Sequence, residues 1–221
     1  MNFAQTVQAV MDITKRPDKQ IETERAVNAA ISFFTINAEF QQDILVHEFT
    51  ISPTALEGSV DLAVLTNFRR FLNVNPKGLN RRLAVVSPED IYTPGGFSQT
   101  NIYYISTDKM YYVLSELCTE GKLQTQYYLY PADLSGNQEY WFLNLANSCV
   151  QYKAASTIFQ YIGDDSSMQI NALLASEFYI SFVRDQVQAQ PQLRAHLDKI
   201  QKQHEQLQQM SNTGNTGNTG I

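Results

Sequence analysis

The sequence predicts an α+β fold: a four-helix core with an inserted small antiparallel β domain and an extended C-terminal helical tail. Three observations predict it. Apolar residues recur at steps of three and four near both ends of the chain. Between about Asp43 and Tyr130 the pattern changes to short alternating stretches rich in tyrosine, punctuated by Gly, Pro and Asn. The last thirty or so residues, roughly 191–221, are Gln-rich and carry only a thin apolar seam. The predicted divisions are 1–42, an N-terminal helical hairpin; 43–136, the inserted β domain; 137–190, a C-terminal helical hairpin that completes the bundle; and 191–221, the tail.

The first helix is set by Phe3, Val7, Val10, Met11 and Thr14. Pro17 ends it, and Asp18 is placed to cap the next. That second helix runs from about Lys19 to Gln42, with Val27, Ile31, Phe34 and Ala38 as its stripe. ILVHEFTIS then alternates, setting Leu45, His47, Phe49 and Ile51 on one face of a strand. A loop holding Pro53 and Gly58 follows. LTNFRRFLNV and RRLAVVS give short extended pieces, Ser87 to Asp90 a turn or one helical turn, and Pro94-Gly95-Gly96 a loop. Asn101–Ser106 and Met110–Ser115 form a hairpin whose tyrosines suit a half-buried pleated surface. Leu123–Tyr130 is the last strand.

Helices return at about Gln138. Trp141, Leu145, Ser148, Tyr152, Ala155, Phe159 and Ile162 make a narrow seam of the kind used between helices. Gly163 is placed to end that helix and Asp164 or Asp165 to begin the next, which carries Ile170, Leu174, Phe178 and Phe182. Beyond Pro191, Leu193, Leu197, Ile200, His204 and Leu207 form a seam too sparse to hold a lone helix in water. Three Asn-Thr-Gly repeats at 212–220, then Ile221, have the composition of disordered chain.

Composition narrows the function. Only 17% of residues are charged, against about 25% in ordinary soluble proteins. Gln, Asn, Ser and Thr fill the difference and suit a surface that packs against other proteins. A net charge of −6 argues against a phosphate-neutralising surface, and Arg69-Arg70 with Arg81-Arg82 do not make a stripe. No apolar run approaches the ~20 residues of a membrane span, and the N-terminus lacks the early positive charge of a signal peptide. Cys118 and Cys149 read as free buried thiols of a reducing compartment.

No catalytic motif emerges, and neither a cofactor nor a metal is expected. His47 with Cys118 or Cys149 is the best nucleophile–base candidate, and no motif supports it. His196 and His204 stand eight apart on one helix, too far to share a metal. Asp164-Asp165 is better explained as a helix corner than as a catalytic pair.

The order of parts carries more. QYYLYPADLSGNQEYWFLN, FQYIGDDSSMQINALLASEF, LTNFRRFLNV with LNRRLAVVSPEDIY, and the hairpin NIYYISTDKMYYVLSE together resemble the head-to-tail adaptor (connector) proteins of short-tailed bacteriophages, over about residues 2 to 186. One departure is that the hairpin has Ser106 and Ser115 where a turn Gly and a Pro are expected. The resemblance implies a structural virion protein at the head-tail junction, made in the host cytoplasm. It would form a homo-oligomeric ring, a dodecamer, between the portal protein and the tail or nozzle proteins. It would extend a channel through which DNA passes without specific binding. The resemblance also implies a C-terminal segment docking on the portal, here through Leu193, Leu197, Ile200, His204, Leu207, Met210 and Ile221. Another virion ring protein (tail tube or head completion) is the alternative, and a small phage-encoded enzyme a more remote one.

Overall fold

The computed structural model describes residues 1–91 and 101–214. The fold is α+β, and the chain divides into two compact units. A helical unit holds Met1–Gln42 and everything from Pro131 onward; a β unit holds Asp43–Tyr130 between those two halves. The chain thus returns to the helical unit at Pro131, ahead of the expected boundary at 136. Asn28 explains why: its side-chain amide donates to the Leu134 carbonyl and accepts from the Leu134 N–H, at 3.0 and 2.9 Å, tying 131–140 to the helical unit.

The N-terminal helices are α1 (Phe3–Thr14) and α2 (Gln20–Ile36). α1 opens on a reciprocal cap. Asn2 accepts from the Gln5 N–H at 2.9 Å, and the Gln5 side chain accepts from the Asn2 N–H at 3.1 Å. A 3-10 turn over Pro17–Lys19 joins the helices. Asp18 does not cap α2; its carboxylate takes two hydrogen bonds from the Arg16 guanidinium, 2.8 and 2.7 Å, and these hold its pKa down to about 2. The expected stripe of Val27, Ile31, Phe34 and Ala38 is buried, although α2 itself stops at Ile36.

The C-terminal half contributes α4 (Trp141–Leu145), α5 (Asn147–Ile162), α6 (Asp165–Val187) and α7 (Arg194–Gly214). The expected single seam from Trp141 to Ile162 holds in part: Trp141, Tyr152, Ala155 and Phe159 pack in or against the core, whereas Leu145 and Ile162 lie outside. The backbone breaks at Ala146, φ −134° and ψ 32°, and α5 starts in a new phase. Phe142, Leu143, Cys149, Val150, Ala154 and Ile158 face the core as well, while Leu145 is 57% exposed. On α6 the expected face is met only at Phe182: Asn171, Ala175, Tyr179 and Val183 are buried with it, whereas Ile170 and Phe178 lie outside. α5 packs against α1, α2 and α6, and its small residues let those neighbours approach closely. The α5–α6 corner is as expected. Gly163 takes φ 74°, a conformation that costs any L side chain, and the Asp164 carboxylate accepts from the Ser167 N–H at 3.0 Å.

Among its described residues the β unit contains two sheets. One is β1 (Ile44–Thr50), β7 (Lys122–Leu129) and β3 (Phe68–Pro76), ordered β1-β7-β3 and antiparallel. The other is β2 (Glu57–Asp61), β6 (Lys109–Val113), β5 (Ile102–Ser106) and β4 (Ala84–Val85), ordered β2-β6-β5-β4. Two features differ from the sequence expectation. The β4–β5 pair is parallel, so the unit is not purely antiparallel. The expected Pro53–Gly58 loop also ends in a strand, since Gly58 lies in β2 opposite Tyr112. The expected helical turn after Ser87 is α3, Pro88–Ile91. The expected Pro94–Gly96 loop lies outside the described residues.

Gly58 is in β2 because the Tyr112 ring lies over it. A Cβ there would stand 2.5 Å from the Tyr112 hydroxyl, and the ring is 97% buried with little room to yield. Gly58→Ala is therefore expected to destabilise the β unit by about 1–3 kcal/mol, read as a lower denaturation midpoint; an unchanged midpoint would show that the ring relaxes freely. On β5 and β6 the Tyr103–Tyr112 pair faces the core, and Tyr104 and Tyr111 stack on the other side at 4.9 Å.

Candidate functional site

The tail was expected to present its seam to a partner, and the helical unit covers the first part of that seam itself. After a 3-10 turn at Pro191–Leu193, α7 lies along α6. Leu193 is 1% exposed and Ile200 8%, both within the helical core, and Leu197 packs against that core. While α7 stays docked Leu193 is unavailable to another chain, and Leu197 and Ile200 keep only a small part of their surface for one. The sparse seam suffices because it meets a preformed apolar surface instead of having to stabilise a free helix.

Two polar links seat the tail. Gln190 is buried at the junction. Its side-chain oxygen accepts from the Gln41 N–H at 2.9 Å, and its amide nitrogen reaches the side-chain oxygens of Gln42 and Gln186 at 3.2 and 3.1 Å. Farther along, the Tyr179 hydroxyl on α6 lies 2.8 Å from both the Phe34 carbonyl and His196 Nε2. The Phe34 carbonyl, in the last turn of α2, can only accept, so it takes the hydroxyl proton. His196 then donates from Nε2, and one tyrosine joins α2, α6 and α7.

Burial pushes the Tyr179 hydroxyl pKa well up, and burial followed by the Lys199 charge lowers that of His196, with Glu39 opposing. The docked tail therefore favours neutral His196. A released His196 has the ordinary value of about 6.5 and binds protons first. As pH falls through that value, the free state is stabilised and docking weakens, levelling off below the lowered docked pKa. Tyr179→Phe is expected to loosen α7 by about 1–3 kcal/mol, because the half-buried imidazole and the Phe34 carbonyl lose their shared partner. Faster hydrogen exchange confined to α7 would report it; unchanged exchange there would show that the link does not hold the tail.

Past Ile200 the helix is mostly open to solvent. His204 contacts Gln208 at 2.8 Å through Nε2 and lies 3.9 Å from a Glu177 oxygen, while its Nδ1 is buried without a hydrogen-bond partner. Leu207 is 40% exposed. The Met210 side chain and Ile221 lie outside the described residues. α7 runs to Gly214, so the first Asn-Thr-Gly repeat, expected to lack structure, is helical; the remaining repeats lie outside the described residues.

Beside α7 is a groove of about 510 Å³ between α2, α5, α6 and α7. Phe33, Ile200 and Leu207 give it apolar walls, and Lys153 and Lys199 give it charge; no Asp or Glu lines it. The Lys153 ammonium lies 4.6 Å from the Phe33 ring centroid, and burial lowers its pKa. Periodicity did not single out Phe33 or Lys153. A half-exposed Phe next to the core stripe was the available signal.

The cysteine candidates are held in other ways. Cys118 donates its thiol to the Lys77 and Lys122 carbonyls, each at 3.3 Å. Cys149 donates to the Ala146 carbonyl, and burial pushes its pKa far above the usual thiol range. His47 packs edge-on against Phe49 at 4.7 Å. Neither thiol hydrogen-bonds to a histidine among the described residues. Nor do those residues contain a group of three His, Cys, Asp or Glu able to hold a metal ion, or a helix long and apolar enough to cross a membrane. No protein-family model matches the chain, and no curated protein sequence does.

Proposed function

We propose that this chain is a structural protein of a phage particle, resembling the head-to-tail adaptors that form a ring between portal and tail. The observation that carries the reading is the insertion of a whole β unit, Asp43–Tyr130, between the two halves of a helical bundle. The motifs of the resemblance follow one another across that insertion in the adaptor order. Exposed large apolar side chains on the helical unit support an associating protein as well: Leu145, Tyr161, Ile170 and Phe178 are 57, 71, 56 and 44% exposed.

The burial of Leu193 and Ile200 refines the docking claim. The portal contact falls to the outer part of the tail: His204, Leu207 and the residues after them. A segment of this kind binds weakly on its own, and repetition around a ring offsets that weakness. The channel carries DNA without holding it, in keeping with an acidic subunit.

Binding of the portal protein from the same phage tests this reading. A chain ending at Gln203 is expected to keep its fold and lose portal co-assembly. Undiminished co-assembly would remove the tail from the interface. Location of the chain in a tail tube or a head-completion ring would select the alternative.

A further inference from the structure

The helical unit and the β unit carry complementary unsatisfied surfaces. In the groove beside α7, Lys153 and Lys199 have no carboxylate partner among the described residues, and no acidic side chain lines the walls. A positively rimmed apolar groove is out of character for a chain with 22 Asp and Glu against 16 Lys and Arg. The β unit presents the opposite. Leu56 and Leu117 are exposed leucines, 45 and 44%, and the N–H of Leu114, three residues before Leu117, bonds the Leu56 carbonyl at 2.7 Å. Glu57 and Glu116 flank them, exposed, and neither forms an ion pair among the described residues.

We infer that the acid-flanked leucine pair of one copy seats in the lysine-rimmed groove of a second copy. Leu56 and Leu117 would meet Phe33 and Ile200, while Glu57 would meet Lys153 and Glu116 would meet Lys199. Such a contact uses two different patches and is head-to-tail. Contacts of that type close into rings when the rotation between copies permits. Apolar area supplies the attraction, and the charges fix which patch meets which. The inference rests on the preceding reading only in that copies associate.

Analytical ultracentrifugation of the full chain over a concentration series tests it. Wild type is expected to self-associate. Lys199→Glu and Glu116→Lys, both at exposed positions, should each weaken association on the order of tenfold or more. The two together in one chain should restore it, since the reversed pair then attracts again at every interface. Leu117→Ser should weaken association without changing any charge, and circular dichroism checks that each variant is folded. A wild type that stays monomeric, single reversals without effect, or a double reversal that fails to recover would each overturn the inference. Portal binding by a monomeric wild type would overturn this interface and leave the adaptor reading standing. Self-association through this pair without portal binding would do the reverse.

Discussion

Replacing Phe142 with alanine is expected to cost the helical unit about 3–5 kcal/mol, the range for a large aromatic removed from a packed core. Phe142 has no exposed surface. Its ring lies among Phe34, Phe40, Trp141 and Phe182, at centroid distances of 6.1, 6.0, 5.3 and 5.4 Å. Those neighbours come from α2, the segment after it, α4 and α6, so no single element can move in to fill the space. Most of the cavity should persist, which puts the loss toward the upper part of that range. The chain's one tryptophan is Trp141, and its fluorescence during urea unfolding reports the helical unit separately from the β unit. A loss below about 1 kcal/mol would place Phe142 outside the core's centre.

The second large effect concerns where the chain is cut. Ending it at Gln190 removes Leu193 and Ile200 from the helical core and uncovers the face of α6 against which α7 lies. Two buried aliphatic side chains at about 1.5–3 kcal/mol each give an expected loss of about 3–6 kcal/mol, together with a tendency to aggregate. Ending the chain at Gln203 keeps both residues and is expected to cost about 1 kcal/mol. Urea midpoints of the two truncations measure the difference. Equal midpoints would mean that α7 adds nothing to the helical core. The tail is thus divided in function: its first turns complete the bundle and its outer part is free to meet another chain.

Much of the fold was legible in the sequence. The change from steps of three and four to alternation at Asp43 is a change of period, and period is the strongest signal a sequence holds. The Gly163-Asp164 corner was legible because a left-handed residue and a side-chain cap each demand particular residue types. The phase of α5 and α6 was legible only in part. Their core contacts run also through Cys149, Ala154 and Ala175, which a stripe of large residues passes over. The break at Ala146 reset the register without a Gly or Pro to announce it. Asp18 looked like a cap until Arg16 claimed it, a competition settled by side-chain geometry. Gly58 looked like a loop residue, although what it answers is a tyrosine fifty-four positions later. The seam of the tail was legible as a seam. Whether it would meet its own bundle or another protein was not, because both surfaces are apolar and the choice depends on tertiary geometry.

The most direct test of the central claim is an electron cryo-microscopy reconstruction of the assembled particle with this chain traced in it. The account predicts a ring of copies between portal and tail, with the residues after Gln203 against the portal and DNA passing through the middle. A trace that places the chain in another part of the particle, or a particle that lacks it, would contradict the account.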